Sequence, residues 1–313
     1  MPLIKPHAVA PDAHWSVIAP ASFAQPDRVK GGIEALRTLG YEPVMTKNAP
    51  ERGPLYFAGS SEQRRADLHA AFADRETSAV IAVRGGYGSN YLLEGLDQAV
   101  FEAHPKPFFA YSDLTGIQLR LLDRIGLPAF HGPMLAADLH LKDGVHFGSF
   151  HAALTGQPYA VGASEGLRAL KPGATESGVT GILYGGCLSI LVSLLGTPWE
   201  PEMEGKLLFV EDVGAKPYQI DRMLWQLRVA GKFDRVKGIV FGEMLDCTSP
   251  GAAPDLLENT ILSALDGFTG PIAIGLRSGH VSRQNVTLTF GVEAELTFDG
   301  SPRLSLLEPA VTK

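Results

Sequence analysis

From residue 15 to about 135, short apolar runs of β type alternate with segments whose apolar residues recur at helical spacing, the signature of a parallel sheet covered by helices. WSVIAP reads as the first strand, and PDRVKGGIEALRTLG as a helix in which Ile33, Leu36 and Leu39 form the stripe and Gly40 takes the left-handed end position. YEPVMT is the next strand. Ser60, three residues before Gln63, opens a capping box, and Leu68, Ala71 and Phe72 continue it as a helix. SAVIAV is nearly all apolar, as a strand buried on both faces must be. NYLLEGLDQAVFEAH follows as a helix, PFFAYS as a strand, TGIQLRLLDRIG as a helix and LPAFHGPM as the last strand of the series.

Between about 150 and 180 the pattern weakens into a Gly, Ala and Pro-rich crossing. Beyond it GILYGGCLSILVSLLG reads as a turn into a buried helix, and KLLFVEDV as a strand. YQIDRMLWQLRVAGKF is a helix through Ile220, Met223, Leu224 and Leu227. VKGIVFGEM, GPIAIGL, VTLTFGVEAELTFD and RLSLLE then supply strands with more antiparallel character. The pattern gives an N-terminal α/β domain over residues 1–155, a linker over 156–178 and a C-terminal α/β domain over 179–313. A length of 313 residues fits two cores better than one.

Composition narrows the function classes. Apolar residues make up 45% and charged ones 19%, which excludes a largely disordered chain. With 27 basic against 34 acidic residues and no long basic run, the chain lacks the footprint of a nucleic-acid binder. The absence of a long apolar stretch argues against a membrane partner, so the expected place is the cytoplasm. Cys187 and Cys247 read as two reduced, buried thiols. His140, His146 and His151 are spaced wrongly for a zinc helix, so neither metal nor organic cofactor is expected.

In an open parallel sheet ligands bind beyond the carboxyl ends of the strands, and two such ends stand out. After SAVIAV comes RGGYGSN; after PFFAY comes Ser112, then Asp113 and a new helix. A serine at a strand-to-helix turn suits a nucleophile, since the next residue's N–H can bind an oxyanion. On local sequence alone a serine there is more often a helix cap or nearby turn residue, and the glycines flanking a hydrolase elbow are here Ala110 and Leu114. RGGYG matches no nucleotide fingerprint; it reads either as a structural turn or as a turn donating N–H groups to a reacting carbonyl. For the base and acid that a serine needs, the second half offers His280 after one strand and Glu211 and Asp212 at the end of another. Arg84, before the glycine turn, is a candidate partner for a substrate carboxylate, or a residue that holds loops together.

Taken together, AVRGGYGSNYLL, AYSDLTGIQ, FHGPML, GGCLSILVSLLGTPW, LLFVEDVGAKPYQIDRMLWQLRVAG and GLRSGHVSRQNVTLTFGVEAEL resemble, in order, blocks of the LD-carboxypeptidase family of serine peptidases, which includes muropeptide LD-carboxypeptidases and microcin C immunity peptidases. The resemblance implies a parallel-sheet α/β domain of the class I glutamine amidotransferase-like kind, a C-terminal swivelling β/β/α-type domain, and a site between them. It implies Ser112 as nucleophile, Glu211 and His280 as acid and base, and the N–H groups of Asp113 and Gly86 as the oxyanion hole. Cys187 stands where the family commonly has Asn. The expected reaction is hydrolysis of the amide between an L-centre, lysine or diaminopimelate, and a terminal D-Ala of a muropeptide tetrapeptide, through an acyl-enzyme, in a homodimer without cofactor. Two alternatives stay open: cleavage of a peptidyl-nucleotide, and a non-catalytic muropeptide-binding module.

Overall fold

The computed structural model describes residues 2–49, 51–173, 178–248 and 251–313. The chain divides into two compact units, one of Met1–Gln157, Arg283–Gly291 and Pro309–Lys313, the other of Pro158–Ser282 and Val292–Glu308. The fold is mixed α/β with one sheet in each.

The first unit begins with β1 (His14–Ile18), α1 (Pro26–Thr38), β2 (Glu42–Met45), α2 (Ser61–Ala73), β3 (Ala79–Ala82), α3 (Gln98–Ala103), β4 (Phe108–Ala110), α4 (Thr115–Ile125), β5 (Ala129–His131) and α5 (Phe147–Thr155). Its strands β2, β1, β3, β4 and β5 lie side by side and parallel. The capping box at α2 forms in full: Gln63 N–H donates to Ser60 Oγ at 3.2 Å, and Ser60 N–H to Gln63 Oε1 at 2.8 Å. Trp15, Phe109, Phe130 and Phe150 build an aromatic core, with Phe109 5.1–5.3 Å from each of the other three rings. Each ring buried this fully contributes about 1.5–3 kcal/mol relative to exposure.

One helix read from the pattern is broken. NYLLEGLDQAVFEAH forms a 3-10 segment, Ser89–Gly95, and only then α3, because Asp97 caps α3 by accepting from Ala99 N–H at 3.1 Å.

The second unit contains β6 (Tyr159–Val161), β7 (Arg168–Lys171), β8 (Val179–Cys187), α6 (Leu188–Ser193), β9 (Leu207–Glu211), α7 (Pro217–Val229), β10 (Gly238–Gly242), α8 (Leu256–Ala264) and β11 (Ile272–Leu276). The chain then returns to the first sheet as β12 (Leu288–Phe290), antiparallel to β5, and re-enters the second as β13 (Glu293–Thr297) and β14 (Arg303–Leu306). The second sheet has the order β6-β14-β13-β8-β9-β10-β11-β7. Its centre, β8 to β11, is parallel, and its flanks are antiparallel.

Two stretches differ from the pattern reading. GILYGGC is strand, not a turn into a helix, and the helix after it is short. The Gly, Ala and Pro-rich stretch expected as a linker carries β6 and β7, which form the two edges of the second sheet; residues 174–177 of that stretch lie outside the described residues.

Candidate active site

Ser112 sits two residues beyond β4, at φ 64°. A left-handed backbone costs a side-chain-bearing residue about 1–2 kcal/mol, and here it turns the chain from strand into helix within a few residues. Leu114 N–H closes the turn on Tyr111 C=O at 3.3 Å, and the 3-10 turn Ser112–Leu114 runs straight into α4.

Against this turn lies the segment after β3. A Cβ at Gly85 would fall 2.9 Å from Ser112 Cβ, 3.1 Å from its Oγ and 3.3 Å from Asp113 N, so only glycine lets the backbone come this close. The peptide joining Gly85 to the next residue carries the N–H of Gly86, whose φ is 103°. Ser22, beyond β1, holds the segment: its N–H donates to Gly85 C=O at 3.3 Å, and its Oγ accepts from Tyr87 N–H at 3.1 Å. The ends of β1, β3 and β4, neighbours in the sheet, thus converge on Ser112. Arg84 is exposed, directly before Gly85.

A buried lock fixes these two turns in register. Asp113 Oδ2 accepts from Ser89 N–H at 2.8 Å, while Ser89 Oγ donates to Asp113 C=O at 2.6 Å. Arg64, 2% exposed, donates to Pro20 C=O at 2.7 Å and Gly88 C=O at 2.8 Å. Burial pushes the Asp113 carboxyl above the ordinary value of 3.8, opposed by its hydrogen bonds to Ser89 and Gly88. A carboxyl raised on folding binds more protons in the native state than in the unfolded one, so its contribution favours folding below 3.8 and is lost as pH rises through the folded pKa. Asp113→Asn keeps an acceptor and removes this dependence. The melting temperature of the variant minus that of the wild type is therefore expected to climb as pH rises from below 4 towards neutrality. Thermal unfolding monitored by circular dichroism across that range checks it, and a flat or falling difference contradicts it.

Glu211 closes β9 and is fully buried; His280 follows β11 by four residues with its side chain 20% exposed. Glu211 Oε2 accepts from His280 Nδ1 at 2.7 Å and from His280 N–H at 3.0 Å. The carboxylate is seated by two glycines: a Cβ at Gly242 would lie 2.7 Å from Glu211 Cβ, and one at Gly279 would lie 2.6 Å from Glu211 Cδ. With the Nδ1 proton directed to the carboxylate, Nε2 is the nitrogen left for proton transfer.

Cys187 ends β8 in direct register with Glu211. Its Sγ lies 3.9 Å from Asp212 Oδ2, an oxygen that also accepts from Ser189 N–H at 2.9 Å and so ties the start of α6 to the end of β9. Burial first, then the charges of Glu211 and Asp212, push the Cys187 thiol well up, and burial pushes Cys247 up to about 12. Both thiols stay protonated and poorly nucleophilic at neutral pH. Neither forms a disulfide. His146, one of the scattered histidines, caps α5 by accepting from Ser149 N–H at 3.3 Å. Among the described residues no group of three or more His, Cys, Asp or Glu side chains could hold a metal ion, and no helix is long and apolar enough to cross a membrane.

Ser112, Asp113, Gly86 and Arg84 thus belong to the first unit, and Glu211 and His280 to the second. Gly85 lies inside the glycine turn that the sequence singled out; sequence reasoning missed Ser22, the part Arg64 and Ser89 play beside Asp113, and the two glycines that seat Glu211. Ser22 alone carried a signal, being a polar residue just beyond a strand end.

Residues 16–132 match the LD-carboxypeptidase N-terminal domain, and residues 180–296 match the LD-carboxypeptidase C-terminal domain. The chain belongs to the LD-carboxypeptidase family. A relative from Bacillus subtilis (strain 168), named "Probable murein peptide carboxypeptidase", is 35% identical over 99% of this chain and 96% of its own length. The Microcin C7 self-immunity protein of Escherichia coli is 26% identical over 91% of this chain and 90% of its own. Among solved structures, the muramoyltetrapeptide carboxypeptidase from Oxalobacter formigenes superposes with a TM-score of 0.82 at 28% identity, covering 96% of this chain and all of that one. Family membership makes this chain a carboxypeptidase-type hydrolase of peptides, and the two-domain α/β architecture agrees with that of its relatives.

Proposed function

We propose that this chain is a serine LD-carboxypeptidase that releases the terminal D-Ala of muropeptide tetrapeptides, cutting its amide to an L-configured lysine or diaminopimelate. The observation that carries the reading is Ser112, held at φ 64° on a strand-to-helix turn against a glycine backbone, in a chain of this family. The buried Glu211–His280 pair supports it, because a serine of ordinary pKa needs an oriented imidazole to take its proton.

In this proposal His280 Nε2 accepts the Ser112 Oγ proton as the oxygen attacks the scissile carbonyl. Glu211 stabilises the imidazolium that forms. The oxyanion is met by the N–H groups of Asp113 and Gly86, each contributing about 3 kcal/mol to the transition state. His280 passes its proton to the departing amine of D-Ala, leaving an ester on Ser112, and water releases it by the reverse sequence. No metal or organic cofactor enters these steps. Arg84 is proposed as the partner of the terminal carboxylate. A cytoplasmic role in peptidoglycan recycling and a homodimeric assembly belong to the same proposal; sedimentation of the purified protein checks the latter.

The substrate assignment is tested with L-Ala-D-Glu-meso-diaminopimelate-D-Ala and its counterpart ending in L-Ala. Release of D-Ala at least about 100-fold faster is expected, because the wrong stereocentre misplaces the leaving amine. Equal release contradicts LD specificity. A second reading, hydrolysis of a peptidyl-nucleotide, is favoured by the likeness to the microcin self-immunity protein. A higher kcat/KM on an aminoacyl sulfamoyl adenosine than on the tetrapeptide would select it.

A further inference from the structure

Four aromatic rings gather on two loops of the first unit beside the glycine turn. Tyr56 and Phe57 lie 4.7 Å apart edge to face, Tyr56 and Tyr87 5.6 Å, Phe57 and Tyr91 6.0 Å, and Tyr87 and Tyr91 6.2 Å. Apolar rings ordinarily bury themselves when they cluster, yet these three tyrosines are 41–54% exposed, and Leu55, at φ 58°, is 75% exposed beside them. A contiguous exposed patch of this kind marks a recognition surface.

The patch is also tied to buried groups. Buried Arg64 carries the Phe57 ring 4.9 Å above its guanidinium and at the same time donates to Gly88 C=O, joining the two ring-bearing loops. Ser89, between Tyr87 and Tyr91, is tied to Asp113, the neighbour of Ser112. A platform ordered before binding spares the ligand the cost of ordering it.

Position and chemistry together name the ligand. A carboxypeptidase cuts the last bond, so the remainder of its substrate extends to one side of the nucleophile. Tyr87 is two residues past Gly85, which touches Ser112, so their Cα atoms are at most about 7.6 Å apart. In a muramoyl-tetrapeptide two residues separate the acyl centre from the sugar, an extended reach of about 7 Å plus the linking group. A pyranose offers a flat C–H face bordered by hydroxyls; a tyrosine offers an apolar ring and a polar tip, and the Tyr87 and Tyr91 rings meet edge to face. The five side chains carry no charge, which suits a neutral ring.

We infer that Leu55, Tyr56, Tyr87 and Tyr91 form a subsite for the sugar of a muramoyl-peptide, next to the reacting turn. This deepens the proposed function and rests on it. The test compares kcat/KM for muramoyl-tetrapeptide with that for the free tetrapeptide, and measures binding of muramoyl-tripeptide, which lacks the scissile bond, by calorimetry. Ring stacking of ordinary strength gives the wild type a preference of about tenfold for the sugar-bearing substrate. Tyr91→Ala and Tyr56→Ala are expected to bring that ratio close to one and to weaken the tripeptide by the same factor, whereas Tyr91→Phe keeps most of both. A wild-type ratio near one, or a ratio unmoved in both alanine variants, overturns the subsite. So does a dimer that dissociates on Tyr91→Ala, since the patch is then a contact between copies. If neither substrate is cleaved the proposed function fails, and the calorimetry alone decides the subsite.

Discussion

Ser112→Ala is expected to lower kcat on the diaminopimelate tetrapeptide by about 10⁶-fold, the scale seen when a serine nucleophile is lost from an intact triad. The adjacent Asp113 is engaged with Ser89, and the two thiols of the chain are buried and protonated. The substitution also relieves little strain, because alanine pays the same left-handed backbone cost as serine. Its melting temperature is therefore expected to stay near that of the wild type, which separates lost chemistry from lost folding. Turnover within tenfold of wild type, in a variant purified free of wild-type enzyme, contradicts the nucleophile assignment.

Glu211→Gln is expected to cost about 10³–10⁴-fold in kcat/KM, comparable to losing the acid of other serine triads. The glutamine fills the same cradle between Gly242 and Gly279 and keeps an acceptor for His280 N–H. What it removes is the negative charge 2.7 Å from Nδ1 that favours the imidazolium and holds the tautomer. The loss belongs in kcat with KM little changed, because the charge acts on the transition state and not on the bound peptide. A loss confined to KM would instead make Glu211 a substrate-binding residue.

Much of the fold was legible because its signals are local. The period of α1, the capping box of α2 and the apolar run of β3 each depend on a few neighbouring residues, and all three form where the pattern puts them. The features that escaped are set by tertiary partners. GILYGGC looks like a turn because Gly185 and Gly186 weaken any strand pattern, yet both hold positive φ inside β8, where the backbone packs directly on β9. β6 and β7 are short edge strands without alternation. The excursion of β12 into the first sheet is a pairing across more than 150 residues that no window can contain.

The site divides in the same way. A serine after a strand and a carboxylate at the end of another can be picked out by position, but position alone reads Ser112 more readily as a cap or turn residue than as a nucleophile. Its positive φ and the approach of Gly85, invisible in sequence, are what separate it from an ordinary cap. Arg64 gave no signal at all, since its value lies in two backbone carbonyls distant along the chain. The Asn-to-Cys departure at residue 187 also acquires a physical content: the residue is a buried donor beside Asp212, in register with Glu211.

The central claim, a serine nucleophile at residue 112, is tested most directly by a fluorophosphonate followed by intact-mass and peptide analysis. One phosphonyl adduct per chain, mapped to Ser112 and absent from both Ser112→Ala and His280→Ala, is the predicted result. Equal labelling of wild type and Ser112→Ala, or an adduct mapped to another residue, would contradict it.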